Sequence, residues 1–400
     1  MTLLIKNGLL YLGNNEFIKR DLICSNGFVT EIGKNLPGES FVDATGLIVS
    51  PGFVDLHVHL REPGQPHKET IATGTAAALA GGFTTICAMP NLNPAPDNEE
   101  HLALQQAIIK RDANCKVIPF MTITKNRAGK EVIDVFPQKD CAGISDDGNG
   151  IQDPLVMEQA LQKAAGNNIL VAAHCEDKTY GASNAAEYHQ LERDLKLVSK
   201  HQCRYHVCHV STKESMELIK AAKKNALPVS CEVTPHHLLL CEDDITDDHG
   251  RFKMAPALHT AADKAALINA TQSGFIDAIA TDHAPHCNKE KNCTFAESVF
   301  GVVGLETAFS ILYTNLVETG ILPLEKLLFL LTFGPSKIIK LPCGIAVGNR
   351  ADITLLDLNA QWEINSNNFL SKGHSTPFEG KKVKGKIVKT ILNGHIKFTR

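Results

Sequence analysis

No two of the twelve cysteines stand in C-x-x-C spacing, which argues against a thiolate zinc site and a thioredoxin-type redox pair. They are scattered from Cys24 to Cys343, and several sit inside apolar runs (Cys87 in TTICAM, Cys231 in VSCEV), where cysteine behaves as a small hydrophobe. A reducing, cytoplasmic setting is the expectation. The chain also lacks an excess of positive charge. Its net charge is −4, and without a Lys/Arg cluster a nucleic-acid surface is not expected. The run KKVKGK (381–386) reads as a solvated strand face. Nothing approaches 18 consecutive apolar residues, so no membrane helix is expected. Residues 1–17 have no basic region followed by a long apolar run, so no secretory signal is expected. No G-x-x-x-x-G-K-[ST] or G-x-G-x-x-G unit is present, and a nucleotide cofactor is unsupported. There is no internal repeat and no low-complexity segment. With 44% hydrophobic and 21% charged residues, the composition is that of a folded protein with ample core.

What is present divides into three stretches. Residues 1–50 read as short strands broken by Asn-Gly and Gly turns, as in LLIKNGLLYL and FIKRDLIC-SNG-FVTEIG. Residues 342–400 look alike, with GNRADITLLDLN and GKIVKTILNGHIKFTR. Together they suggest one small composite β-sandwich domain built from both ends. Between them, residues 51–341 alternate short apolar runs with segments of helical periodicity. Eight strands are expected: 53–60, 83–89, 117–123, 142–145, 169–174, 205–210, 228–233 and 276–282. KETIATGTAAALAGG, DPLVMEQALQKAAG and TKESMELIKAAKK are helix-like stretches between them. Eight strands alternating with helices predict an α/β fold, a (β/α)8 TIM-like barrel.

The ends of these strands carry the polar residues. His57 and His59 close the first, and Asn91 follows the second. Asp146 and Asp147 follow the fourth, while His174, His209 and Asp282 end the fifth, sixth and eighth. In a barrel all these ends meet at one rim, where such folds keep their chemistry. On the alternation of a regular strand, Val54, Leu56, Val58 and Leu60 share an apolar face under the helices. Asp55, His57 and His59 then share the inward face. By the same rule His209 lies on the face of Val207, with His206 opposite and packed in the core or the helix layer. Two imidazoles at i and i+2 grip one metal ion, and four histidines with one or two aspartates make a mixed N/O site suited to zinc or another transition ion. If two ions are held, Asp146 or Asp147 is available to bridge them. Metal binding brings the pKa of water towards about 7, which makes it a nucleophile, and Asp282 is placed to move its proton. His236 and His237 fall near the rim without an expected ligand role. His67, His101, His189, His201, His249, His374 and His395 read as surface residues.

The runs PGFVDLHVHLREPG, GGFTTICAMPN, DDGNGIQD, AAHCED, YHVCHVSTKES, EVTPHHL and IATDHAPH resemble the dihydroorotases of the amidohydrolase superfamily, over nearly the whole chain. The bacterial single-chain type is most similar, since SDDG stands where other relatives carry a carboxylated lysine. The resemblance implies a metal-bearing barrel with a small β domain, and the reversible cyclisation of N-carbamoyl-L-aspartate to dihydroorotate in pyrimidine synthesis. It implies two zinc ions. His57, His59 and Asp282 would hold one, His174 and His209 the other, and Asp147 would bridge, although spacing alone does not separate Asp147 from Asp146. Asp282 would also be the catalytic proton shuttle. Arg61 would take the substrate carboxylate through its planar fork, Asn91 would bind the same end, His286 would contact the substrate, and the backbone of Phe300 and Gly301 would close over the ring.

Two departures accompany the resemblance. Ala255 and His259 in RFKMAPALH stand where the family usually has an Asn and an Arg, and the segment between His174 and His209 is short. The partners implied are the small-molecule substrate, a second copy in a homodimer, and aspartate transcarbamoylase. The rival readings are another cyclic amidase (hydantoinase- or allantoinase-like) and a catalytically inactive partner of aspartate transcarbamoylase.

Overall fold

Asn-Gly pairs make the tight turns at both ends of the chain. Asn26 and Gly27, like Asn393 and Gly394, all have positive φ, the backbone that a two-residue hairpin with right-handed strand twist requires. The computed structural model describes residues 2–136, 140–181 and 183–400. In it, β1 (Thr2–Gly13), β2 (Glu16–Ser25) and β3 (Phe28–Gly33) form a meander, and β4 (Val42–Asp43) and β5 (Ile48–Pro51) pair with β1.

The chain then enters eight strands: β6 (Phe53–Val58), β7 (Phe83–Ala88), β8 (Lys116–Met121), β9 (Gly143–Ile144), β10 (Val171–Ala173), β11 (Tyr205–Val207), β12 (Val229–Val233) and β13 (Ala278–Ile279). Each is hydrogen-bonded in parallel to the next, in sequence order. A parallel bridge between Val58 and His283 brings the two edges together. The eight expected runs are therefore the eight barrel strands. Finally β14 (Ile353–Glu363), β15 (Lys382–Leu392) and β16 (His395–Thr399) join the first sheet, with β14 antiparallel to β5. Strands from both ends of the chain thus share one sheet.

Helices α1 (Ile71–Ala80), α2 (Glu99–Asp112), α3 (Pro154–Gly166), α4 (Asn184–His201) and α5 (Lys213–Lys224) follow β6, β7, β9, β10 and β11 in turn. Side-chain caps start four of them: Thr70 and Thr73 form a capping box on α1, Asn98 caps α2, Asp153 caps α3 with Pro154 in the first turn, and Thr212 caps α5. None of the helices among the described residues is long and apolar enough to cross a membrane.

Two apolar layers result. Val54, Leu56, Cys87, Phe120, Ala172, Cys208, Ala278 and Ala280 meet in one cluster. Only the barrel interior brings residues from so many non-adjacent strands together. Phe53, Val58, Leu60, Phe83, Ile86 and Val207 belong to the larger cluster with the helices. This corrects the alternation read along β6. Val54 and Leu56 face inwards, whereas Val58 and Leu60 face the helices. A register irregularity between Asp55 and Val58 changes the parity, so both Leu56 and His57 turn to the inside. His209 likewise departs from the face of Val207. Its φ of 32° breaks the strand and brings it to the same side as His206.

The segment after β14 is held on the barrel by buried carboxylates. Glu306 accepts from the backbone N–H groups of Leu370 and Ser371, and the Ser371 hydroxyl donates to Glu69 at 2.5 Å. Burial raises the Glu306 carboxyl to about 7. An acid raised in the folded state favours the fold fully below its unfolded pKa, near 4.5, and that contribution is lost as pH rises through 7. Glu306→Gln, which keeps the acceptor oxygen, is therefore expected to gain stability relative to the parent between pH 5 and pH 8, by roughly 3 kcal/mol at most. Urea midpoints at the two pH values check this; a pH-independent difference contradicts it.

Candidate metal centre

The polar side chains lie at the carboxyl ends of the barrel strands, mostly just past them. His57 is still in β6, and His59 follows it by one residue. Asp147 comes three residues after β9, His174 one after β10, His209 two after β11 and Asp282 three after β13. Arg61, His209 and Asp282 all adopt positive φ (61°, 32° and 47°). Such backbone costs of order 1–3 kcal/mol per residue and persists where surrounding contacts over-determine it. At the barrel seam, Asp55 accepts from the His57 N–H at 3.0 Å, the Thr281 hydroxyl at 2.6 Å and the Thr281 N–H at 3.2 Å. This ties the first strand to the loop that carries Asp282.

All six expected ligands converge, and all are buried. His57 Nε2 lies 3.2 Å from Asp147 Oδ1 and 3.5 Å from Asp282 Oδ1. His59 Nε2 lies 3.1 Å from Asp282 Oδ1 and 3.4 Å from Asp147 Oδ2. On the other side, Asp147 Oδ1 is 3.5 Å from His209 Nε2 and 3.8 Å from His174 Nδ1, and those two ring nitrogens are 2.9 Å apart. Asp147 therefore stands between two pairs of imidazoles. Asp146 does not: its oxygens accept from the N–H groups of Ile123 and Thr124 and from the Thr124 hydroxyl. Asp146 thus holds the loop after β8.

The donor atoms fit a metal ion. Two ligands bound at about 2.0–2.1 Å to a tetrahedral ion stand about 3.3 Å apart, and the donor atoms here lie 2.9–3.8 Å from one another. His57 Nε2 and Asp147 Oδ1, both facing the cluster, are buried and have no hydrogen-bond partner, although such groups are normally satisfied. Three triads link the six residues: His57, His59 and Asp147; His57, His209 and Asp282; Asp147, His174 and His209. Burial pushes the Asp147 and Asp282 carboxyls up, but the surrounding imidazoles outweigh it and hold both below the ordinary carboxylate range. Burial acts against a charged His57 too, and Asp147 and Asp282 outweigh it and raise its pKa.

The residues expected around the substrate are placed less uniformly. Arg61 is buried, with Nε donating to the Pro285 carbonyl at 3.2 Å and a terminal nitrogen 3.2 Å from His286 Nε2. Burial, with Arg61 and Lys68 nearby, lowers His286 to about 3, so it is a neutral partner of the guanidinium. Asn91 turns its amide oxygen to His59 Nδ1 at 2.8 Å, so that oxygen orients a ligand. Gly301 packs so closely on Ala284 and His286 that a Cβ there would meet the Ala284 carbonyl at 2.7 Å. Phe300 is exposed and lines a hollow with His174, Glu176, Ala255 and His259.

Two carboxylates behind the ligands went unnoticed in the sequence. Glu232 accepts from His57 Nδ1 at 2.9 Å and His206 Nε2 at 3.1 Å. Burial raises its carboxyl, and these hydrogen bonds outweigh that and bring it down to about 2. His206 is thus buried in a polar network inside the barrel, away from the helix layer. Glu176 stands 3.6 Å from His174 Nε2. The signal for Glu232 was available: a carboxylate stands one residue before the end of the run VSCEV, much as His174 ends ILVAAH.

Residues 46–195 match the family model described as "Dihydro-orotase-like". A dihydroorotase of Geobacillus sp. (strain WCH70) is 43% identical over 99% of this chain and 98% of its own length. One of Bacillus thuringiensis (strain Al Hakam) is 44% identical over the same shares. The chain belongs to the dihydroorotase family. Among solved structures, the L-hydantoinase (dihydropyrimidinase) of Arthrobacter aurescens superposes with a TM-score of 0.90 at 23% identity, covering 98% of this chain and 95% of that one. The D-hydantoinase of a Thermus species superposes with 0.85 at 24%, covering 100% and 96%. At such identities the likeness is one of fold, and it bears out the (β/α)8 barrel. Family membership and the buried His/Asp cluster together identify a metal-binding enzyme.

Removing metal should therefore lower the thermal midpoint, with added Zn2+ restoring it. A ligand present at 100 times its Kd stabilises by about 2.7 kcal/mol. A midpoint indifferent to both chelator and metal contradicts the assignment.

Proposed function

We propose that the chain catalyses the reversible hydrolysis of dihydroorotate to N-carbamoyl-L-aspartate, in pyrimidine synthesis. The observation that carries this reading is a six-residue His/Asp cluster at the barrel rim with the buried Arg61–His286 pair beside it. Full-length relatives that bear the name dihydroorotase support it. We further propose two zinc ions, one on His57, His59 and Asp282, one on His174 and His209, with Asp147 between. The support is that Asp147 Oδ1 approaches His57 and His209 at 3.2 and 3.5 Å. When bound, the metal supplies Lewis acidity to the amide carbonyl and to water.

The side chains supply the rest. Arg61 presents a guanidinium to the substrate carboxylate, and His286, neutral, keeps it turned inwards without competing for the anion. Asn91 binds the same carboxylate end through its amide nitrogen, while its amide oxygen orients His59. Asp282, ionised at neutral pH, takes the proton from the attacking water and delivers it to the ring nitrogen as the C–N bond breaks. Phe300 and Gly301 cover the ring and exclude bulk water. In the reverse direction Asp282 accepts the proton of the carbamoyl nitrogen as the C–N bond forms and returns it to the carboxyl oxygen that departs as water when the C–O bond breaks.

A hydantoin- or allantoin-cleaving enzyme would use the same metal chemistry but has no carboxylate for Arg61 to bind. A catalytically inactive partner of aspartate transcarbamoylase would have no need of the complete donor set. On the resemblance, we also propose a cytoplasmic homodimer able to associate with aspartate transcarbamoylase. Side-by-side assays with dihydroorotate, hydantoin and allantoin are expected to give turnover of dihydroorotate alone. Asp282→Ala is expected to lower kcat by about 10²–10⁴. Preference for hydantoin would overturn the substrate, and near-parental kcat in Asp282→Ala would overturn the proton transfer.

A further inference from the structure

Glu232 occupies β12 at the level of the metal cluster, fully buried, and its oxygens meet groups from both halves of the site. Oε1 accepts from His57 Nδ1 at 2.9 Å and stands 3.4 Å from the His209 N–H; Oε2 accepts from His206 Nε2 at 3.1 Å. Among the described residues no Lys or Arg pairs with it; its ion-pair partners are His57 and His206. A carboxylate buried without a cation needs N–H donors on both oxygens. Ser230 supplies the last piece: its hydroxyl lies 2.9 Å from His206 Nδ1. With Ser230 donating there, His206 carries its proton on Nε2 and gives it to Glu232. His57 must then carry its own proton on Nδ1.

We infer that Glu232 is the positioning residue of the metal centre, fixing the tautomer and ring orientation of His57 so that Nε2 presents a lone pair between Asp147 and Asp282. This rests on the metal-centre reading above. Partners on the far nitrogen of a ligating histidine typically change metal affinity by 10–100-fold when removed. Glu232 reaches His209 as well, through the backbone where φ is 32°, so one carboxylate steadies a ligand from each side of Asp147.

The test is zinc binding by the full-length protein, measured by chelator competition, together with the thermal midpoint before and after adding Zn2+ to the metal-free protein. Glu232→Ala is expected to bind Zn2+ about 10–100-fold more weakly and to show a smaller zinc-induced rise in midpoint. Glu232→Gln, which keeps an acceptor for His57 Nδ1 without the charge, is expected to lose less but to fall measurably below the parent. It carries the test alone if the alanine variant does not fold. Parental affinity in both variants overturns the inference. So does an equal fall in midpoint with and without zinc, since that marks a packing role. A parent protein that takes up no Zn2+ overturns the metal-centre reading itself, and the inference with it.

Discussion

Asp147 and Asp282 sit in the interior of the protein among four imidazoles, and the rest of the structure is arranged around that fact. An ionised carboxylate taken out of water is costly unless it is paired and hydrogen-bonded. Here compensation comes from rings carried on three different strand ends, together with the cation that the spacing of their nitrogens fits. His57 Nε2 and Asp147 Oδ1 have no hydrogen-bond partner in the protein. The cluster is thus unsatisfied as a piece of protein architecture and satisfied as a coordination shell.

The barrel holds this shell by stopping its strands early. β9 and β13 are two residues long, and β10 and β11 three. The chain leaves each before the ligand, so irregular backbone aims the side chain while the parallel ladder below fixes its origin. A rigid scaffold with locked supporting contacts is what keeps a site in working geometry. The carboxylates behind the ligands extend the same principle. Asp55 fastens the seam between β6 and the Asp282 loop, Asp146 anchors the turn carrying Asp147, and Glu232 and Asn91 engage the far nitrogens of His57 and His59.

Much of this was legible in the sequence, because a polar residue at the end of an apolar run has few uses inside a fold. That logic located all eight strands and the six residues that converge. It failed where regular geometry fails. Parity along β6 placed Val54 and Leu56 under the helices, and the irregularity after Asp55 reverses them. The same rule put His209 beside Val207, and one residue of left-handed backbone undoes it. Neither has a short-range signature: histidine and aspartate are enriched at positive φ, but such backbone is uncommon for any residue other than glycine, so residue type alone does not mark the position. Asp146 and Asp147 are adjacent and alike, so only the contacts of Ile123 and Thr124 tell them apart. Glu232 carried a signal like that of His174, a titratable residue near the end of an apolar run, but its partners lie 175 and 26 residues away.

The cluster offers one chemical alternative to the His/Asp shell, since His57, Cys208 and Glu232 also lie within ligand distance of one another. X-ray absorption at the zinc edge on the zinc-loaded enzyme separates the two directly. The account predicts a first shell of nitrogen and oxygen alone at about 2.0–2.2 Å. A sulfur shell near about 2.3 Å, or an enzyme that turns over dihydroorotate with no bound metal, would contradict it.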